Sequence, residues 1–157
     1  MPVKRGVDVV AIPLTGDLSS FDFYSMNKMG SPDLEVRIGM DVFVLGYPFG
    51  HGKTGLPVWK RGSIASEPDL VPHVEKYLRV DTASRPGMSG SPVILRTYGT
   101  HLTQGNNVHL TAGAANKFIG VYSGRLHTQN ALEAQIGMVW SATYIDEIID
   151  GGLKEHG

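Results

Sequence analysis

Short apolar runs alternating with glycine- and proline-rich turns constrain the fold of this chain more than any other feature. There are 20 Gly and 9 Pro among 157 residues. A continuous apolar run at residues 42–45 ends in the turn sequence of residues 46–50, and residues 77–81 alternate between apolar and polar side chains. This pattern is typical of strands joined by tight turns. The sequence therefore predicts a β-barrel or a β-sandwich rather than a helical bundle.

The same pattern places the individual elements along the chain. The predicted strands are residues 7–14, 42–45, 57–66, 77–81, 91–97, 108–112, 118–123 and 136–141. One helix is predicted over residues 144–149, because their apolar side chains have helical spacing, Thr143 is a suitable N-cap, and Gly151 and Gly152 follow. The length fits a single domain.

Composition excludes several functional classes. The net charge is −1 and no basic run is present, which argues against nucleic acid or an anionic membrane as a partner. The chain has no cysteine, and neither a metal-ligand spacing nor a phosphate-binding loop occurs, so we expect no metal and no cofactor. No apolar run approaches the ~18 residues of a membrane span, and the first residues lack the apolar core of a signal peptide. The expected protein is soluble, in an undetermined compartment.

Residues 85–92, Arg-Pro-Gly-Met-Ser-Gly-Ser-Pro, place Ser89 in a glycine-rich turn just before an apolar strand. We call these residues the serine turn. Glycines allow the backbone to bend sharply and to expose its N–H groups. Acyl transfer needs both a hydroxyl that reaches a carbonyl carbon and N–H donors that reach the resulting oxyanion. The turn is thus a candidate nucleophile site, although the same residues also suit an ordinary turn.

Two further stretches strengthen the catalytic interpretation. Asp8 lies at the head of the apolar run 7–14, and residues 118–125 form a strand-like run that ends in Ser-Gly-Arg. With the serine turn, these stretches resemble the trypsin-like (chymotrypsin-fold) serine peptidases, and in particular their cysteine-free bacterial branch, which includes the HtrA-like peptidases. The resemblance extends from Asp8 to about Asp150.

The resemblance implies a fold and a domain organisation. Trypsin-like enzymes have two six-stranded antiparallel β-barrels with the active site between them. Residues 1–157 would be a single, N-terminally incomplete domain of this all-β fold. It would contain the second barrel, the tail of the first barrel at residues 7–14, and a short C-terminal helix. The apolar face left by an absent first barrel would favour self-association or a partner segment that completes the cleft.

The resemblance also assigns roles to residues. Ser89 would be the nucleophile, and the N–H groups of Gly87 and Ser89 would form the oxyanion hole. Asp8 would orient the catalytic histidine. Ala83 would form the uncharged floor of the primary specificity pocket. Ser123 and Gly124 would lie on the strand that pairs with an extended peptide substrate.

Two departures from the family pattern stand out. Met88 occupies the place where digestive members carry the aspartate that receives a newly cleaved N-terminus, so activation by N-terminal processing is not expected. The family order is His, Asp, Ser, yet all six histidines follow Asp8. A serine without a base is a poor nucleophile near neutral pH. We therefore expect this chain alone to be a weak peptidase or inactive.

Three hypotheses remain open from sequence. The chain is a serine endopeptidase domain, with a peptide or protein as substrate. Alternatively, it is a non-catalytic peptide-binding barrel derived from such a peptidase. A third possibility is an unrelated small barrel in which the serine turn has no catalytic role.

Overall fold

The computed structural model describes residues 6–31, 33–50, 55–83, 85–126 and 135–151. Six antiparallel strands close into a barrel in the order β1-β2-β3-β6-β5-β4, which returns to β1. The strands are β1 (Asp41–Gly46), β2 (Val58–Ile64), β3 (Tyr77–Asp81), β4 (Pro92–Thr103), β5 (Asn107–Arg125) and β6 (Ile136–Ser141). The predicted all-β barrel is confirmed.

In the described part of the chain, two α-helices accompany the barrel. The single turn α1 (Val71–Val74) precedes β3, and α2 (Ala142–Gly151) follows β6 directly. The side chain of Ser141 accepts a hydrogen bond from the Thr143 N–H at 3.4 Å, so the helix begins one residue before the predicted N-cap. The predicted C-terminal helix is thus present. No helix among the described residues is both long enough and apolar enough to cross a membrane.

The core follows from the two-residue period of the strands. Val42 and Val44 of β1 alternate with half-buried neighbours, and Val93 and Leu95 of β4 point inward beside them. The strands opposite contribute further buried side chains to the same cluster. Its buried members are Leu34, Val42, Val44, Ile64, Val80, Met88, Val93, Leu95, Ala115, Ile119, Tyr122 and Val139.

Closure of the barrel between β5 and β6 requires glycine at one position. A Cβ built on Gly120 would lie 1.9 Å from the main-chain oxygen of Trp140, and its φ of +154° is itself rare for other residues. The two strands pair closely here, with Gly120 opposite Ser141. This contact fixes β5 where it passes the serine turn.

A segment before β1 closes the end of the barrel away from the serine turn. Gly30 bridges Lys117 of β5, and Leu34 bridges Thr103 of β4. Leu34 is fully buried in the core, and the Lys117 ammonium donates to the Leu34 carbonyl at 2.8 Å. Burial lowers the pKa of Lys117, although the charge of Asp33 acts against this shift. The segment thus joins β4 to β5 across the barrel end.

Two sequence predictions differ from the structure. Residues 7–14 form no strand, and the side chains of Val10, Ile12 and Leu14 are exposed. An apolar run adopts a strand only where another strand offers it hydrogen bonds, and no described strand pairs with this one. Residues 108–112 and 118–123 are not separate strands but parts of β5, whose small-residue connection continues the strand through a register shift.

Candidate active site

The backbone of the serine turn bends at its glycines. Gly87 has a φ of 90° and Gly90 a φ of 83°, both in the left-handed region that favours glycine. Between them Met88 turns into the core and is buried, whereas Ser89 is exposed. The turn therefore anchors itself through Met88 and presents the next side chain to the surface.

Hydrogen bonds hold this turn against β5. The Gly90 N–H donates to the Tyr122 carbonyl at 2.7 Å, and the Tyr122 N–H donates to the Ser91 carbonyl at 2.9 Å. This reciprocal pair continues the β4–β5 ladder into the turn. Ser89 is thus placed at the point where β5 leaves the side of β4.

The loop that follows β1 supports the turn from the other side. A Cβ on Gly46 would lie 2.3 Å from Ser91 Oγ and 2.9 Å from Met88 Sδ, so the close approach requires glycine. The Phe49 N–H donates to the Pro86 carbonyl at 2.9 Å, and Phe49 itself has a φ of 62°. Residues 46–50 thereby fix the position of the serine turn relative to the core.

The Ser89 hydroxyl donates to the Ser123 carbonyl over 3.4 Å, a long and weak hydrogen bond. A Cβ on Gly124 would lie 3.6 Å from Ser89 Oγ, so any larger side chain there would crowd the hydroxyl. The structure therefore places Ser89, Ser123 and Gly124 close together.

The two N–H groups predicted for the oxyanion hole have no acceptor in the described part of the chain. Neighbouring N–H groups of the turn are paired: that of Met88 donates to the Arg85 carbonyl and that of Ser91 to the Met88 carbonyl. Gly87 and Ser89 are exposed, and within the described residues their N–H groups make no such bond.

Asp8 and Ser89 line the same cleft, which has a volume of about 330 Å³. The Asp8 side of this cleft is formed by an exposed segment without regular structure, and the Ser89 side by the barrel. The lining residues are Asp8, Val9, Val10, Ser89, Gly90, Val121, Tyr122, Ser123 and Ile145. Asp8 and Ser89 thus lie at one surface, although strands β1 to β3 separate them in the sequence.

Two supporting residues were not found by sequence reasoning. Trp140 of β6 donates its indole N–H to Ser123 Oγ at 2.9 Å, which orients the strand beside Ser89. Its ring makes edge contacts with Tyr77 and Tyr144. Ile145 of α2 lines the cleft. The aromatic spacing in the sequence indicates only core packing, because contacts between distant strands leave no local signal.

The remaining predicted residues lie elsewhere. Ala83 is exposed and does not line the cleft. Of the histidines that the structure describes, His73 lies in α1, while His101 and His109 stack on each other with ring centroids 6.3 Å apart. None of these three lines the cleft or hydrogen-bonds to Ser89. His51, His127 and His156 lie outside the described residues.

Among the described residues, no three or more His, Asp or Glu side chains lie close enough together to hold a metal ion. The described cleft combines a hydroxyl and a carboxylate, beside a turn whose Gly87 and Ser89 N–H groups have no acceptor among the described residues. This set corresponds to part of a serine acyl-transfer site.

Comparison with known families agrees with this chemistry. A family model described as trypsin-like peptidase domain matches residues 2–100, which is more than half of the chain. The chain belongs to this family. The match includes both Asp8 and Ser89 and ends within β4 of the trypsin-like domain. A search of curated proteins finds no match.

Proposed function

We propose that this trypsin-like domain is the second barrel of a serine endopeptidase, in which Ser89 is the nucleophile and Asp8 orients the general base. The observation that carries the proposal is the shared cleft. Asp8 and Ser89 line it together, next to two N–H groups that have no acceptor among the described residues. Family membership supports the same reaction class.

The proposed reaction is acyl transfer. Ser89 Oγ attacks the carbonyl carbon of a peptide bond while a histidine accepts the hydroxyl proton. The N–H groups of Gly87 and Ser89 stabilise the oxyanion of the tetrahedral intermediate. The protonated histidine then donates its proton to the departing amine, and Asp8 stabilises the imidazolium. Water completes the cycle by hydrolysing the acyl-enzyme.

An extended substrate would pair with the end of β5. Beyond Val121 this strand has β6 on one side, and no described strand pairs with its other side. Ser123 and Gly124 lie in this stretch, immediately beside the Ser89 hydroxyl. Such an open edge suits peptide binding by β-addition. Ala83 is exposed and lies outside the cleft, so the proposal assigns no substrate preference to this residue.

The histidine is the component that this sequence lacks upstream of Asp8. We propose that it comes from a preceding segment or from a partner chain, and that the chain alone is a weak peptidase or inactive. Free imidazole should then replace the missing base, because the cleft between Asp8 and Ser89 is open to solvent on the Asp8 side.

The test is labelling by a fluorophosphonate probe, measured by intact mass at increasing imidazole concentration. Ser89 Oγ forms a bond to phosphorus, fluoride leaves, and imidazole accepts the proton. We expect little labelling without imidazole, and a rate that rises with imidazole. Ser89→Ala should abolish this labelling, and Asp8→Asn should weaken it. Ser63→Ala and Asp22→Asn are the matched controls, since neither residue lines the cleft.

Two results would contradict parts of the proposal. A folded wild-type protein that stays unlabelled at high imidazole would argue against Ser89 as a nucleophile. Strong labelling without imidazole would show that a histidine of this chain already reaches Ser89.

A non-catalytic peptide-binding barrel is the second candidate. It is favoured by the Ser89 hydroxyl, which has a carbonyl rather than a histidine as its partner. Saturable peptide binding by an unlabelled protein, weakened by Gly124→Val, would support this alternative.

A further inference from the structure

The β4–β5 hairpin extends well beyond the region where the barrel strands pair. β4 pairs with β1 only over residues 93–95, although it continues to Thr103. β5 pairs with β6 only over residues 120–125, although it begins at Asn107. We call residues 99–103 and 107–111 the hairpin extension. An isolated two-stranded hairpin is at best marginally stable in water, so this extension benefits from a further strand.

The outer edge of β5 in this extension has no strand beside it in the described part of the chain. Below the β6 pairing, Gly30 bridges Lys117 and the Ser31 N–H donates to the Asn116 carbonyl, and both contacts lie beyond residue 113. Residues 107–113, here called the free edge, therefore have β4 on one side and no described strand on the other. Val108 is 66% exposed and Leu110 80% exposed.

The direction of the free hydrogen-bonding groups follows from β4. The Leu102 carbonyl accepts from the Glu35 N–H, so it points away from β5. Leu102 is opposite Val108, and these two therefore form a non-hydrogen-bonded pair. By the strict alternation of an antiparallel ladder, Val108 and Leu110 direct their N–H and C=O groups away from β4. These groups are ready to pair with another strand.

The free edge also lacks the features that normally prevent strands from associating. None of the residues from 97 to 116 is charged, and none is proline, in a chain whose charged fraction is 18%. Exposed edges are usually protected by charges, prolines or a covering element. Without charged side chains, two identical edges do not repel each other. A charged peptide would also find no ion-pair partner along this edge.

We propose that the free edge is a homodimer interface, in which the β5 strands of two copies pair antiparallel about a two-fold axis at Leu110. In this register Leu110 faces its own copy, Val108 faces Ala112, and His109 faces Thr111. The apolar side chains then lie together on one face. Each Leu110 donates to and accepts from its copy, and the two hairpins form a continuous four-stranded sheet.

Two-fold symmetry explains why this pairing stops at two copies. An isologous contact uses the same β5 edge on both partners, so neither copy has a β5 edge left for a third chain. Through this edge the assembly is a closed dimer rather than a fibre. This inference does not depend on the proposed catalytic function.

The test uses the position that faces itself. Leu110→Lys and Leu110→Glu each place two like charges on the two-fold axis. Because like-charge juxtaposition costs several kcal/mol, each should raise the dimer dissociation constant about tenfold or more. An equimolar mixture of the two variants should restore the dimer, since opposite charges then meet. Sedimentation velocity over a concentration series compares the wild type, the two variants and their mixture. Ile12→Lys, at an equally exposed apolar position, is the control and should dimerise like the wild type.

Hydrogen exchange gives a readout that needs no variant. The Val108 and Leu110 amides should become protected as concentration rises through the dimer transition. The proposal would be overturned by a wild-type protein that stays monomeric at all concentrations, whether or not it binds an extended peptide at this edge. A dimer that survives both charge variants, or a mixture that fails to reassociate, would overturn it as well.

Discussion

Truncation of Met88 tests whether the core holds the serine turn in place. Met88 is 1% exposed, and it lies beside Val44 and Tyr122 in the barrel interior. Its sulfur approaches Gly46 so closely that a Cβ there would be 2.9 Å away. β1 is hydrogen-bonded on both sides, so it cannot move inward to fill the space that Met88→Ala would leave.

The expected cost follows from this rigidity. Replacing a buried methionine by alanine costs about 2–5 kcal/mol, and the upper half of this range applies where the cavity cannot collapse. We therefore expect a loss of about 3 kcal/mol or more in the free energy of unfolding. With an m-value of about 2 kcal/mol/M in urea, the midpoint should fall by about 1.5 M.

Urea unfolding followed by tryptophan fluorescence measures this loss, because Trp140 lies near the turn. Met88→Leu preserves the volume and should cost less than about 1.5 kcal/mol. Met26→Ala, in a short turn outside the barrel, should cost about 1 kcal/mol or less. Imidazole-dependent labelling of Ser89 should also slow in Met88→Ala under conditions where the protein is folded. A loss below about 1 kcal/mol in Met88→Ala would refute the anchoring role of this side chain.

Three further outcomes are expected. Gly120→Ala should prevent stable folding, because its Cβ would lie only 1.9 Å from a main-chain oxygen. Gly99→Ala is the control: no atom lies within 4 Å of the added Cβ, so this variant should lose only about 1–2 kcal/mol, through backbone strain, in the same urea assay. Burial lowers the pKa of Lys117 from 10.5 in the folded state, so the unfolded state binds more protons as pH approaches 10.5, and the contribution of Lys117 to stability should rise with pH there. The difference in unfolding free energy between wild type and Lys117→Gln should therefore grow as pH increases toward 10.5. A difference that stays constant with pH would contradict this expectation. Leu110→Lys should leave the imidazole-dependent labelling rate of Ser89 unchanged.

Local pattern was sufficient to predict most of the barrel. The strand at Tyr77–Asp81 and the one at Ile136–Ser141 have the predicted bounds, because alternation and flanking turns are properties of neighbouring residues. The length of β5 was not predictable in this way. Its small residues read as a connection, and only pairing with β4 keeps them extended.

The candidate site was predictable to a similar degree. The glycines around Ser89 predict a sharp turn with an exposed serine, because their backbone conformation affects only the residues next to them. The burial of Met88, the indole N–H of Trp140 on Ser123 and the position of Ile145 were not predictable. They depend on which strands become neighbours when the barrel closes. The exposed conformation of residues 7–14 has the same origin, because no described strand pairs with them.

The two proposed sites lie at opposite ends of one pair of strands. The serine turn ends at Pro92, the first residue of β4, whereas the free edge begins at residue 107, opposite Thr103, the last residue of β4. Twelve residues of strand at ~3.3 Å each separate the ends by about 40 Å of chain. The family match covers the first end and stops at residue 100, before the free edge begins. A peptide paired with residues 123–125 and a second copy paired with residues 107–113 would therefore occupy different stretches of β5, so the chemistry proposed for Ser89 and the dimerisation proposed at Leu110 should be separable by mutation.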